Sequence, residues 1–241
     1  MASAPRYRRV LLKISGEALC APGGFGLDPQ AVADLVGEIR PVVQMGVAAG
    51  LVVGGGNFLR GKALSSRQGL PRATADAMGM LATIMNGLAL REALDARDVP
   101  ARVLSAIPTG GLCDDYDRRL AGRLLDEGHV VILAGGTGSP FFTTDTCAAL
   151  RAAELDADAL LKATQVDGVF DSDPASNPDA SKFDRLSYAE VLARRLGVMD
   201  LAAVSLCMES AIPIIVFHMA TTGNLAAAVR GETVGTIVTA N

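Results

Sequence analysis

Residues 47–57 read Val-Ala-Ala-Gly-Leu-Val-Val-Gly-Gly-Gly-Asn, a short apolar run that stops on three consecutive glycines. A short run bounded by glycine predicts a buried strand with a tight backbone turn at its carboxyl end. Similar β-branched or leucine-rich runs recur at Val10–Ile14, Val103–Ser105, Val130–Ala134, Ala159–Lys162 and Pro213–Phe217, with helical segments between them. Strands alternating with helices predict an α/β fold: a mostly parallel sheet sandwiched by helices on both faces. One helix is expected from Asp28-Pro29, with the aspartate as N-cap and proline at the first helical position, where its missing N–H costs nothing. That helix should end at Gly46. A second is expected from Thr74 to about Ala96, where Met78, Leu81, Met85 and Leu88 fall at i, i+3, i+7 and i+10 and predict an apolar stripe for the core or a subunit interface. The polar stretch Asp171–Ser181, DSDPASNPDAS, has no periodicity and reads as a long loop between two lobes of one domain.

Composition narrows the function. Of 241 residues, 50% are hydrophobic and 20% charged, which excludes a disordered chain and leaves ample material for a core. A formal net charge of -4 argues against a broad basic face for nucleic acid, so any bound anion must be met locally. The cysteines Cys20, Cys113, Cys147 and Cys207 form no CxxC pair, and His129 and His218 are the only histidines. A zinc site therefore lacks candidate ligands, and free thiols in a reducing compartment are expected. Arg6, Arg8 and Arg9 precede an apolar run that Lys13 interrupts far short of a signal sequence. No stretch approaches the roughly 20 apolar residues of a membrane span. A cytoplasmic protein that binds neither nucleic acid nor membrane is the expectation.

Gly54-Gly55-Gly56-Asn57 lies where open α/β sheets bind ligands, at a strand's carboxyl end. A turn needing positive φ would account for one or two of the glycines; close approach of backbone N–H groups to a phosphate accounts for three. The stretch from Gly56 to Ala63 comes within one residue of a P-loop, but Ala63 has no hydroxyl for magnesium and the triple glycine precedes the first motif position. A dinucleotide fingerprint is also disfavoured, because Ser15-Gly16-Glu17 lacks the GxGxxG spacing. A second cluster, Gly135-Gly136-Thr137-Gly138, follows the run Val130–Ala134 and leads to Thr143 or Thr144, either of which can cap a helix starting near Asp145. Two glycine turns suggest two phosphate-bearing ligands. Lys13 and Lys162 each end an apolar run; a lysine there is either a solvated strand end or a point charge for a phosphoryl group in flight.

Taken together, Lys13-Ile14-Ser15-Gly16-Glu17-Ala18-Leu19, Gly54–Asn57, Arg60-Gly61, Asp76–Leu81, Thr137–Asp145 and Lys162–Phe170 resemble the bacterial uridylate kinases, a branch of the amino acid kinase family. The likeness runs in order through nearly the whole chain. Lys-x-Ser-Gly and the triple glycine are shared across the wider family. Thr137–Asp145 and Met78–Asn86 are particular to this branch. The resemblance implies the amino acid kinase (carbamate kinase-like) fold as one domain over 1–241, with an acceptor lobe at about 1–158 and an ATP lobe at about 159–241. It implies transfer of the γ-phosphoryl group of ATP to UMP, giving UDP, in pyrimidine biosynthesis, with Mg2+ carried by ATP. Lys13, Lys162, Asp145 and Arg60 are the implied catalytic residues, Asp145 orienting the lysines. Lys13, Ile14, Ser15, Gly16, Gly56, Arg60, Thr164, Phe170 and Asp173 match the ATP side. Gly55, Asp76, Thr137, Gly138, Ser139, Pro140, Phe141, Phe142, Thr143 and Thr144 match the UMP side, Asp76 at the ribose and the loop at the base.

A homohexamer, with GTP as activator and UTP as inhibitor, is implied as well. Gly23, Gly24, Phe25 and Gly26 match the effector region, and Arg91, Arg102, Arg118 and Arg119 could supply basic partners. Asp95, four residues after Arg91, could instead pair with it along the helix. Gln165 stands where many members carry lysine and removes one positive charge beside the ATP lobe. Two alternatives remain at this level: a non-catalytic nucleotide- or oxyanion-binding or storage protein on the same fold, and a kinase of a carboxylate or carbamate.

Overall fold

A computed structural model describes residues 4–59, 69–174 and 176–240. Its frame is a nine-stranded sheet. In chain order the strands are β1 (Arg9–Ile14), β2 (Ala48–Val53), β3 (Ala101–Ser105), β4 (Asp114–Asp115), β5 (Val130–Ala134), β6 (Ala159–Thr164), β9 (Arg185–Ser187), β10 (Ile214–His218) and β11 (Thr236–Thr239). A separate antiparallel pair is formed by β7 (Val169–Phe170) and β8 (Lys182–Phe183). The main sheet runs β4-β3-β5-β2-β1-β6-β10-β11-β9, parallel except where β11 turns back against β10. From β1 the chain builds outward on one side through β2 and β5, then crosses to the other side with β6. The crevice beyond the carboxyl ends of β1 and β6 is therefore a topological switch point, where such sheets bind ligands.

The helices are α1 (Pro29–Gln44), α2 (Arg72–Asp95), α3 (Arg118–Asp126), α4 (Thr144–Glu154), α5 (Tyr188–Arg194), α6 (Leu201–Glu209) and α7 (Asn224–Arg230). Side chains alternate across a strand, so each strand feeds two cores. Leu12, Ile14, Leu51, Val53, Ile132 and Leu161 pack under α1, α2 and α7. Leu11, Val52, Leu133, Leu160 and Ile214 pack under α3, α4, α5 and α6. The α1 start follows the expected chemistry: Asp28 accepts from the amides of Gln30 and Ala31, and Pro29 opens the helix. Gly46, at φ +78, stands just past its end.

Three expectations need correction. Lys162 does not end its strand, because Phe217 and His218 of β10 continue the ladder opposite Ala163 and Thr164; Lys13 is likewise followed by Ile14 within β1. Asp171–Ser181 does not separate two lobes: it closes the β7–β8 hairpin, within which the Asp171 amide donates to the Ser181 carbonyl. Of the α2 stripe, Leu88 packs against the core, but two of its members do not. Leu81 and Met85 are 55% and 49% exposed, and the helix buries Ala75, Ala82, Ile84, Asn86, Gly87, Leu90 and Leu94 instead. Small residues let α2 lie close to the sheet, where a Cβ on Gly87 would stand 3.2 Å from Val103 Cγ1.

Candidate active site

Parallel register sets Lys13 of β1 directly beside Lys162 of β6. By alternation Lys13 shares the face of Leu11 and Lys162 that of Leu160, so both ammonium groups rise towards α4. At the start of that helix, Asp145 receives them on separate oxygens, Lys13 Nζ at 2.8 Å from Oδ1 and Lys162 Nζ at 2.9 Å from Oδ2. All three side chains are largely buried, at 13%, 16% and 13% exposure for Lys13, Asp145 and Lys162. Burial pushes the Asp145 carboxyl up, but the two ammonium groups outweigh it and hold it below the usual carboxylate range. Lys162 is held below the usual lysine range by burial first, which Asp145 opposes and the neighbouring Lys13 reinforces. Lys162 also donates to the Val198 carbonyl. One carboxylate between two cations leaves the cluster with net positive charge, poised to meet an anion.

Both glycine turns lie on one side of this cluster, at the ends of β2 and β5. None of Gly54, Gly55 and Gly56 has positive φ. Crowding requires glycine most clearly at Gly55, where a Cβ would stand 2.7 Å from the Gly79 carbonyl oxygen and 2.8 Å from Ala82 Cβ; at Gly54 the nearest atom would be 3.2 Å away and at Gly56 3.7 Å. Gly16, which opens a short 3-10 turn after Ser15, is as tightly placed, its hypothetical Cβ lying 2.5 Å from the Gly54 carbonyl oxygen. The second turn differs, with Gly135, Gly136 and Gly138 all at positive φ. Its first amide is fixed by Thr83 of α2, whose hydroxyl accepts from Gly135 N at 2.8 Å.

Thr143 caps α4, its hydroxyl accepting from the amides of Asp145 and Thr146. Thr144 Oγ1 borders the first turn, 3.6 Å from a Cβ built on Gly54. Between turn and cap, Thr137 and Ser139 bond to each other through side chain and backbone. Pro140 follows, and Phe141 and Phe142 are exposed at 65% and 55%. Phe141 takes φ +72, and its amide donates to Asp76 Oδ2 at 2.8 Å. Asp76 of α2 is thereby joined to the loop, while Arg72 Nε grips both its oxygens at 2.7 and 2.8 Å. On the far side of β6, Thr164 shares the face of Lys162 and its hydroxyl donates to the Val166 carbonyl at 2.6 Å. Phe170 lies in β7, and Asp173 lies in the hairpin loop, its carbonyl accepting from Ser176 and Asn177. Ile14 is fully buried beneath Ser15. Arg60 lies outside the described residues, as do Gly61, Lys62 and Ala63.

Two parts of this site carry no sequence signal of their own. Asn57 and Asn86, both buried, exchange amide hydrogen bonds at 2.8 and 2.9 Å. Asn86 also donates to the Gly54 carbonyl and Asn57 to that of Gly26. This pair pins the first glycine turn to α2 and to the segment Gly23–Gly26, whose Phe25 packs edge-on against Phe58. The other part is Asp200, the N-cap of α6, which accepts from the hydroxyls of Thr143 and Thr146. An apolar helix stripe and a buried amide both give the same helical period, so Asn86 is hidden within its motif run; Asp200 could be found only as an N-cap before Leu201.

The expected pairing of Asp95 with Arg91 does not form. Arg91 pairs with the adjacent Glu92, and Asp95 Oδ1 accepts from the Ala101 amide at 3.1 Å, tying the end of α2 to β3. Arg102 pairs with Asp114. Arg118 and Arg119 are exposed at the start of α3 and make no ion pair among the described residues.

The amino acid kinase family model matches residues 8–218. A uridylate kinase of Pseudoalteromonas atlantica is 54% identical over 240 residues, 99% of this chain and 97% of the relative. One from Legionella pneumophila is 55% identical over 236 residues, covering 98% and 95%. Among solved structures, a UMP kinase from Bacillus anthracis superposes with a TM-score of 0.95 at 38% identity, covering 98% of this chain and 97% of that one.

Proposed function

This chain belongs to the amino acid kinase family, and from that premise we infer that it is a nucleoside monophosphate kinase, transferring the γ-phosphoryl group of ATP to UMP to give ADP and UDP. The observation that carries the reading is the Lys13–Asp145–Lys162 cluster at the switch point, with both glycine turns on its β2 and β5 side, in a chain more than half identical to uridylate kinases over nearly its full length. A non-catalytic storage role or a carboxylate acceptor draws no support from those relatives.

The chemistry suits the residues. A nucleoside monophosphate has a second phosphate pKa of about 6, so the acceptor oxygen is already anionic at neutral pH and needs no general base. What remains is positioning and charge neutralisation. Lys13 and Lys162 neutralise the transferring group from the sheet, while Asp145 keeps both ammonium groups aimed. Gly16, Gly55 and Gly56 give amide donors to phosphate, with close packing excluding a Cβ at Gly16 and Gly55. Asp76 takes the ribose and Thr137–Thr144 frame the base; Ile14, Ser15, Thr164, Phe170 and Asp173 serve the ATP side, and Arg60 adds positive charge.

Among the described residues no group of three His, Cys, Asp or Glu side chains could hold a metal. Mg2+ would be carried by ATP, held mainly by its phosphate oxygens, and would supply further charge neutralisation. The acceptor lobe is the part up to about residue 158 and the ATP lobe the remainder. The exposed Leu81 and Met85 supply apolar surface for a homohexamer. GTP activation, with UTP as inhibitor, is favoured by the bond from Gly23–Gly26 through Asn57 to the glycine turn. A cytoplasmic place in pyrimidine biosynthesis follows from the reaction; no helix of the described residues is long and apolar enough to cross a membrane.

ADP release measured with UMP, CMP, acetylglutamate and no acceptor tests this. UMP-dependent release well above the other three is expected. Release that ignores UMP would defeat the assignment.

A further inference from the structure

We propose that Asp200 is a positioning residue for phosphoryl transfer, clamping the Thr143–Thr146 turn so that Asp145 stays between the two lysines. The proposal rests on the kinase reading above and names a residue that belongs to neither glycine turn.

A threonine hydroxyl has one hydrogen to give and two lone pairs to receive. Thr143 needs its lone pairs for the Asp145 and Thr146 amides, at 3.1 and 3.2 Å. Asp200 Oδ2 takes the Thr143 hydrogen, which turns those lone pairs towards the helix. The same oxygen accepts from Thr146 Oγ1 at 2.7 Å. Asp145 is thus bracketed by two side chains anchored on one carboxylate. The other oxygen, Oδ1, caps α6 through the Ala203 amide at 2.9 Å, so the clamp is borne by a separate helix packed against α4. The segment leading into that cap also holds Lys162, which donates to the Val198 carbonyl. One short stretch, Val198–Asp200, therefore fixes the carboxylate from one side and the ammonium from the other. An ordinary N-cap needs only Oδ1; the two hydroxyls on Oδ2 exceed what capping requires.

Three charged groups act on Lys162: Asp145 from α4, Lys13 from β1 and Asp200 from the α6 cap. Asp145 and Asp200 favour its ammonium form and Lys13 opposes it. Neutralising Asp200 leaves one anion facing two ammonium groups. Lys162 then loses its proton at lower pH, and the alkaline fall in kcat moves with it.

The experiment compares full-length Asp200→Asn and Thr146→Val with the unaltered protein, recording kcat, both KM values, the pH profile of kcat and thermal stability. Asparagine is a good N-cap and keeps α6 closed. Asp200→Asn should lower kcat about tenfold or more, from the loss of charge-assisted hydrogen bonds, with KM for ATP and UMP within about twofold and the alkaline limb shifted to lower pH. Thr146→Val keeps the charge and removes one anchor, so kcat should fall about threefold with the alkaline limb unmoved. An Asp200→Asn enzyme with unchanged kcat, or with reduced kcat and an unshifted limb, overturns the proposal. Should Asp200→Asn fail to fold, an unchanged kcat in Thr146→Val overturns it alone. Absence of UMP-dependent turnover in the unaltered protein would instead defeat the kinase reading.

Discussion

Replacing Asn86 with alanine should weaken the fold and the acceptor side of the site together. The amide is fully buried and gives two hydrogen bonds, to the Gly54 carbonyl at 2.8 Å and to Asn57 Oδ1 at 2.8 Å. Alanine orphans both acceptors, while Asn57 keeps its own bond to the Gly26 carbonyl. An unsatisfied buried acceptor costs roughly 1–3 kcal/mol, and water entering the vacated space recovers part of two such losses. The net loss should be about 2–4 kcal/mol, a large share of the roughly 5–15 kcal/mol that holds a typical domain together. Urea unfolding reads it as a lower midpoint at unchanged slope. Because Gly54 leads into the amides of Gly55 and Gly56, kcat/KM for UMP should fall roughly ten- to hundredfold, as expected for sub-ångström misplacement of binding groups. Asn86→Asp removes both donated bonds and keeps only the one that residue 86 accepts from Asn57 Nδ2. A carboxylate still accepts from Asn57 Nδ2 but can donate neither to the Gly54 carbonyl nor to Asn57 Oδ1, and it buries a charge, so it should lose at least as much as alanine. A midpoint shift worth less than about 0.5 kcal/mol, the scale of an ordinary surface change, would refute the idea that the amide pair secures the turn.

Lys13→Met and Lys162→Met should each lower kcat by about 10²–10³ with smaller changes in KM; steady-state kinetics decide it, and near-normal kcat would make that lysine a structural partner of Asp145. Gly16→Ala sets a Cβ 2.5 Å from the Gly54 carbonyl oxygen, so it should destabilise by about 1–3 kcal/mol, as overpacking does, and raise the KM for nucleotide; a soluble variant with unchanged melting and kinetics would count against close packing as the reason for glycine. Leu81→Lys with Met85→Lys puts charge on two half-exposed apolar positions and should reduce the mass in solution while leaving the helical circular dichroism intact; an unchanged mass would exclude this stripe from the assembly interface.

How far the fold was legible follows from where local pattern and tertiary demand agree. Val130–Ala134 is a strand over the expected residues, and Asp28-Pro29 opens α1, because apolar runs and caps are local signals. The end of β6 was not legible. Lys162 looks like a polar stop, yet its strand continues because β10 supplies partners two residues further on. The α2 stripe shows a second limit. Periodicity finds the helix but cannot say which side faces the sheet, and here the buried side combines Ile84, Leu90 and Leu94 with Ala75, Ala82, Asn86 and Gly87. Small residues give little hydrophobic signal, though they permit the closest approach.

The site divides along the same line. Lys13, Lys162 and Asp145 could be singled out as charges beside apolar runs or glycine turns, and their meeting follows from parallel register and side-chain alternation once β1 and β6 are neighbours. No sequence rule announces that neighbour relation, since the two strands lie far apart in the chain. Asp200 lies deeper still. Its partners, Thr143 and Thr146, come from a helix 54 residues and more away, and its cap position gives an ordinary reason for an aspartate there. Residues that hold the reacting groups in place thus share types and positions with residues that only end helices. The distinction is made by what the second carboxylate oxygen touches, which only the assembled fold decides.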